Sequence, residues 1–538
     1  MAAGLQDSFA MIRLTDQLVV IDLAQVVQRG LADLPLEIMG HEIGHHILCP
    51  ATLTDQGRML ARMRWALPSV EQAAPAVANL YADLHINDRL QRGSGLRLDE
   101  VYRRLNASAP QGHSSDLWLL YQRIYEILWS LRHGDLAPGP LPDRVEGDAQ
   151  LGSRLVRAYR KDWMNGAAGF AALCLPYLTQ DADALRALAG WGDALDAAGG
   201  SVPAGLTDVE PAEQQEPLHP ARDPRVTDGA PGAPTGPASP EPRPAPPGPP
   251  TGQAREPFAY GELLRALGLD LSDHEIAVRY YREAAQRHLV PFPSRPAAVV
   301  GELVPQGYAP WSVGEPLMDI DWFHSLLRSP RVVPGVTTVK RVLGPDEGTR
   351  PRPEVLDLDL YIASSVSIAN PQSQLSFLAL AGSIIALSCL RAGGRVQATL
   401  WSGAHQFETT SGFIADRDRI LSVVTGYIGG GTAFPLHVLR DTYADRTDRD
   451  RAVHVLVISD DGVTTMFSKD ERGDDGAAIA REALARARGG GTMVLNLYRW
   501  PPDLAPALDM GWEVVKITGW DELLSFARHF AQRAYAGP

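Results

Sequence analysis

Cysteine is scarce in this sequence: Cys49, Cys174 and Cys389 are the only three, far apart and without a C-x-x-C pair. That excludes a disulfide framework and a thiolate zinc knuckle, and leaves small buried thiols as the expectation. An excess of positive charge is missing as well. With 50 basic against 64 acidic side chains the formal net charge is −14, which disfavours a general affinity for nucleic acid. The opening stretch "MAAGLQDSFAMIRLTD" lacks a basic segment followed by an apolar one, so a cytoplasmic protein is expected. The longest apolar run, "LSFLALAGSIIALSCL" from Leu375 to Leu390, is broken by Ser and Gly and falls short of the ~18 to 20 residues that cross a bilayer. It reads as a buried helix, and no membrane association is expected.

What is present is ordinary soluble composition, 45% hydrophobic and 21% charged over 538 residues. At roughly 150 residues per domain that length suggests about three folded units. One composition shift divides them. From 200 to 256 the chain is crowded with Pro and Gly and almost free of large apolar side chains, as in "APGAPTGPASPEPRPAPPGPP", so a disordered linker is expected there. Residues 1–199 precede it, mainly helical after two strand-like runs, "FAMIRL" and "QLVVIDL". Residues 257–349 follow as a helical connector, in which Ser272 and Glu275 form a capping box before "IAVRYYREAAQRHL". From 350 to 538 strands and helices alternate. "VLDLDLYIA", "RVQATLW", "AVHVLVIS", "TMVLNLYRW" and "WEVVKIT" are strand candidates, which points to a doubly wound α/β domain with a mostly parallel sheet.

Chemistry is concentrated in "LEIMGHEIGHHILCP" (Leu36 to Pro50), which contains HExxH. On a helix His41 and His45 are one turn apart on one face, so two imidazole nitrogens can meet one zinc ion. Glu42 lies about 100° around the helix, where it can hold and deprotonate a metal-bound water. A third ligand is needed. In "NLYADLHINDRL", Asn79, Asp83 and Asn87 fall at i, i+4 and i+8 and form one polar stripe beside apolar Leu80 and Leu84. Asp83 is the first choice, because a short carboxylate on an otherwise buried helix needs a partner; Asn79 is the alternative ligand. His85 lies about 200° from Asp83 and cannot share its ion. His46 shares the face of Glu42 and is open to three roles: hydrogen-bonding Glu42, contacting substrate, or packing.

HExxH followed some forty residues later by N-x-x-x-D-x-x-I-N, then a "YYREAAQRHLVPFP" connector and an α/β domain, resembles bacterial metallopeptidase-like proteins fused to a von Willebrand factor A (VWA)-like domain. The resemblance covers most of the chain outside the linker. It implies a zincin-like N-terminal domain with Zn²⁺ at His41, His45 and Asp83, Glu42 as general base, and a protein or peptide substrate. It also implies association with MoxR-type AAA+ ATPases, some in systems of bacterial conflict or stress defence. VWA domains bind Mg²⁺ through Asp-x-Ser-x-Ser, a Thr and a further Asp. Here Ala363 stands at the first Asp, while Ser365, Ser367, Thr432 and Asp460 keep the other positions, with Asp461 alongside. Mg²⁺ relies on one or two carboxylates, so affinity for it should fall and the domain is expected to bind a partner without the ion. A function of another class stays open: a VWA adaptor whose N-terminal metal site is structural or vestigial.

Overall fold

The computed structural model describes residues 9–14, 18–108, 115–180, 194–195, 203–227, 253–290, 295–296, 303–345 and 353–535, apart from 404, 448, 502–503 and 520. Two compact units divide the chain. Met1–Arg287 with Ser367–Ala379 and Thr425–Tyr427 make the first; His288–Val366, Leu380–Val424 and Ile428–Pro538 make the second.

In the first unit the two strand-like runs pair antiparallel as β1 (Ala10–Arg13) and β2 (Leu18–Ile21), and β3 (Ala194–Leu195) lies parallel to β1. Among the described residues eight helices follow β2 before β3: α1 (Leu23–Gln28), α2 (Pro35–Ile47), α3 (Leu53–Ala66), α4 (Ala74–Arg89), α5 (Leu98–Ser108), α6 (Asp116–Trp129), α7 (Asp143–Ala158) and α8 (Trp163–Gln180). Proline at the first position starts α2, where its missing N–H costs nothing. Thr52 caps α3 by accepting from the backbone N–H of Asp55. The unit is organised around α4, which packs against α2, α3, α6 and α8 and is buried without a break from Val77 to Asp88. Such a helix should be apolar all round. This one carries Asn79, Asp83, His85, Asn87 and Asp88 into the interior.

The expected domain limits need correction at two places. Residues 203–227 and 253–256 are built into the first unit rather than into a linker. Leu206 and Val226 are buried, β4 (Asp208–Val209) pairs antiparallel with β5 (Gln253–Ala254), and Arg255 joins Glu213 at 2.6 Å. A few apolar anchors suffice to dock a Pro-rich flank, and average composition hides them; residues 228–252, the richest in Pro, lie outside the described residues. The connector is likewise not one helical piece. α9 (Pro257–Ala266) packs on α3, and α10 (Asp273–Gln286) has the expected capping box. Beyond them the second unit contains an antiparallel hairpin, β6 (Leu303–Pro310) and β7 (Val339–Pro345), in which Val-rich "VTTVKRVL" prefers an extended backbone.

The core of the second unit is a six-stranded sheet made from β8 (Asp357–Ala363), β9 (Val396–Trp401), β10 (Phe407–Thr409), β11 (Val453–Ser459), β12 (Arg488–Asn496) and β13 (Glu513–Ile517). The spatial order is β10-β9-β8-β11-β12-β13, parallel throughout except for β10 at the edge. Every residue of β8, β9 and β11 is buried, as strands covered on both faces must be. Strand order reverses around β8, which makes the carboxyl ends of β8 and β11 a topological switch point. This mostly parallel arrangement is consistent with a VWA-like α/β fold. The apolar run is the helix Phe377–Ala392, and no helix among the described residues is long and apolar enough to cross a membrane.

Candidate metal centre

Helix α2 brings His41 and His45 to α4, one turn apart, and the close approach depends on Gly44, where a Cβ would overlap Ile86 Cγ2 of α4. The two imidazoles and Asp83 then converge. His45 Nε2 lies 3.3 Å from His41 Nε2 and 3.4 Å from Asp83 Oδ1, and His41 Nε2 lies 3.7 Å from Asp83 Oδ1. Donors 2.0–2.2 Å from a tetrahedral ion are separated by about 3.3 to 3.6 Å, so the triangle has the size that zinc requires. Among the described residues this is the one group of three or more His, Cys, Asp or Glu side chains so arranged.

The carboxylate supplies the test of fit. Asp83 is buried, and its Oδ2 accepts from Asn79 Nδ2 and from the Tyr121 hydroxyl, both at 3.4 Å. Among the described residues Oδ1 accepts no hydrogen bond and no Lys or Arg pairs with it. A buried carboxylate with one bare oxygen aimed at two imidazole nitrogens is costly unless a cation completes it. The residues present therefore fit a Zn²⁺ ion held by His41, His45 and Asp83. Asn79 acts on the carboxylate from behind, and its amide supports the first-choice ligand.

The surrounding groups divide unequally between the two imidazoles. His41 Nδ1 is 2.8 Å from Asn87 Oδ1, and Asn87 Nδ2 donates to the hydroxyls of Tyr125 at 2.9 Å and Tyr102 at 3.1 Å. His45 Nδ1 is buried without a hydrogen-bond partner among the described residues. Glu42 is 2% exposed, on the flank of α2 beside the two ligands. His41 is the more exposed of the two imidazoles, its side chain 13% exposed while that of His45 is fully covered.

His46 and His85 are placed elsewhere. His46 Nδ1 sits 3.1 Å from the Ala51 carbonyl, holding the turn after α2. His85 packs edge-on against Tyr81 at 4.6 Å, and burial pushes its pKa down to about 3. Tyr102, Tyr121 and Tyr125 escape sequence reasoning. The i, i+4 spacing of Tyr121 and Tyr125 on α6 is the signal that could have found two of them, but it is equally the spacing of core aromatics.

At the switch point of the second unit, Ala363 ends β8 and Ser365 bridges to Gly430. The loop after it is pinned by Ser402, whose hydroxyl donates to the Gly431 carbonyl at 2.7 Å and accepts from the Gly430 N–H at 3.0 Å. Thr432 lies so close to Gly462 that a Cβ there would overlap its methyl, and Asp460 Oδ1 accepts from the Gly462 N–H at 3.1 Å. Ser365, Thr432 and Asp460 thus stand on neighbouring loops. Ser367 falls in the segment counted with the first unit.

No protein-family model and no curated protein sequence matches the chain. Among solved structures, a chain described as von Willebrand factor type A from Catenulispora acidiphila is similar at 18% identity and a TM-score of 0.25. The match covers 37% of this chain and 45% of that one, less than half of its length. So loose a superposition carries no functional argument, and the sheet order stands on its own.

Proposed function

We propose that this chain is a zinc-dependent peptidase whose N-terminal unit cuts protein substrates, with the VWA-like unit recruiting a partner. The observation that carries the proposal is the bare Oδ1 of buried Asp83, set with His41 and His45 Nε2 in a triangle of tetrahedral size. Zinc, when bound, supplies Lewis acidity towards water and a peptide carbonyl. Glu42 then has the general-base role. It takes a proton from water as the oxygen adds to the carbonyl carbon, and delivers it to the amine nitrogen as the C–N bond breaks. Three protein donors leave a fourth position for water or substrate, the arrangement of catalytic rather than structural zinc. The partner we propose is a MoxR-type AAA+ ATPase in a cytoplasmic conflict or stress system, met without Mg²⁺ at the switch-point loops.

A second reading is favoured by one observation, the burial of Glu42 and of the His45 and Asp83 ligands. In it the metal is structural and the VWA-like unit does the biological work as an adaptor. Zinc analysis of the purified chain, with proteolysis of an unfolded protein such as casein by the parent and by Glu42→Gln, separates the two. Zinc without any Glu42-dependent cleavage would favour the adaptor.

A further inference from the structure

We propose that the short helix α11 (Trp322–Arg328) is a self-association surface, which pairs with α11 of a second copy of this chain about a two-fold axis. The proposal is independent of the metal centre and of any peptidase activity.

Twelve of the 26 exposed large apolar side chains among the described residues fall between 303 and 345, the stretch that contains the β6–β7 hairpin. So dense a cluster marks a contact surface, whereas apolar side chains scattered singly need no explanation. Within it α11 is folded inside out. Of its seven residues only Ser325 is buried, while Trp322, Phe323, Leu326 and Leu327 are exposed. At 100° per residue those four span an arc of about 140°. Polar contacts fix the rest of the helix. The Ser325 hydroxyl donates to the Asp321 carbonyl at 2.7 Å and accepts from the Val339 N–H of β7 at 2.9 Å. Asp321 caps the helix by accepting from the His324 N–H at 3.0 Å, and its other oxygen accepts from Arg341 Nε of β7 at 2.6 Å. The apolar arc is thus carried on a backbone already held in place, so covering it costs little further ordering.

Area and charge together identify the occupant. Leu317 and Met318, in the turn before α11, are exposed too, and with the four helix residues they range from 52% to 89% accessible. At ~180 Å² per large apolar side chain the six leave roughly 700 Å² uncovered, close to the ~800 Å² that each partner buries in a stable interface. Asp319 precedes the helix, Arg328 ends it and Arg331 follows. All three side chains are exposed, and among the described residues none forms an ion pair. A two-fold contact must be self-complementary. Two copies of α11 running antiparallel meet that condition, since Asp319 of each comes to the Arg328 end of the other while the apolar arcs face one another. An anionic lipid surface suits the set less well, because it would repel Asp319 and a chain of net charge −14. Between 303 and 345 the charges nearly balance, four basic against three acidic, so repulsion between two acidic chains is not concentrated at the contact.

The test is sedimentation equilibrium of the full-length chain, with circular dichroism as the check on folding. Expected are a dimer in the parent at tens of micromolar and a dissociation constant raised roughly 100-fold in Leu327→Asp, which should stay folded because the side chain is exposed. Asp319→Arg and Arg328→Glu should each weaken the dimer, since either one sets like charges together at both ends of the contact. Mixed in equal amounts they should recover it, because one copy of each restores both opposite-charge pairs. That recovery is specific to a two-fold contact between copies. A monomeric parent overturns the proposal, and flotation of the parent, but not of Leu327→Asp, with phosphatidylglycerol vesicles would then assign the face to lipid. A dimer that folded Leu327→Asp leaves intact overturns it as well, as do charge variants that fail to weaken the dimer singly and restore it together. If Leu327→Asp does not fold, the two charge variants decide.

Discussion

Gly44 of α2 stands against Ile86 of α4 so closely that a single added methyl would overlap the isoleucine Cγ2. The glycine inside HEIGH is therefore the contact that lets the two helices approach within ligand distance of one another. Gly44→Ala is expected to push them apart, lowering both zinc affinity and the melting temperature. Ile86→Leu moves the branch from Cβ to Cγ at nearly constant volume. Combined with Gly44→Ala it should recover much of the lost zinc affinity, as read by chelator competition.

Asp83 and His85 share a helix but should behave oppositely. Asp83→Ala removes the only carboxylate of the donor triangle and should reduce zinc content from about one ion per chain to near none, a ratio that mass spectrometry of the desalted protein reports. His85→Gln should keep the ion, because that ring is packed against Tyr81 and lies outside the triangle. Equal loss in both variants would contradict the ligand set.

Glu42→Gln should retain zinc, since the glutamate is outside the donor triangle, and should slow hydrolysis of unfolded casein by at least about 10²-fold. Cleavage at the parental rate would assign the activity to another base or to a contaminant.

In the second unit Ala363→Asp should create a Mg²⁺ site with Ser365, Thr432 and Asp460, detectable by calorimetry on the zinc-loaded protein. The parent should show no comparable heat. The reason is the missing negative charge at the end of β8, where a tightly hydrated cation needs a carboxylate.

Asp359 should couple the stability of the same unit to pH. It is fully buried in the sheet with Tyr443 Oη at 3.0 Å and Gln397 Nε2 at 3.3 Å, and burial pushes its pKa up to about 7 from 3.8. The folded state then holds a proton that the unfolded chain releases at lower pH. The stability contribution is full below about pH 4 and is lost as pH rises through about 7. Asp359→Asn, which cannot ionise, should flatten that part of the melting-temperature profile between pH 5 and 8, while the parent loses stability across it.

The alternation of strands and helices after 350 follows from local pattern, because each buried strand must be a short apolar run and each covering helix a longer one. All five expected strands are present. The sixth, Phe407–Thr409, is too short to leave a periodic signal, and the linker limits were blurred because Leu206 and Val226 are isolated anchors in a Pro-rich average. At the metal centre, helical spacing alone placed His41 with His45 and aligned Asn79, Asp83 and Asn87 as a stripe. What only the tertiary structure decided is which stripe residue meets the imidazoles, and that tyrosines from α5 and α6 reach Asp83 and Asn87 from behind. Spacing fixes the face of a helix on which a side chain lies, since that depends on 3.6 residues per turn. Which two faces meet, and which hydrogen each buried donor gives up, depends on packing between segments that are distant in the chain.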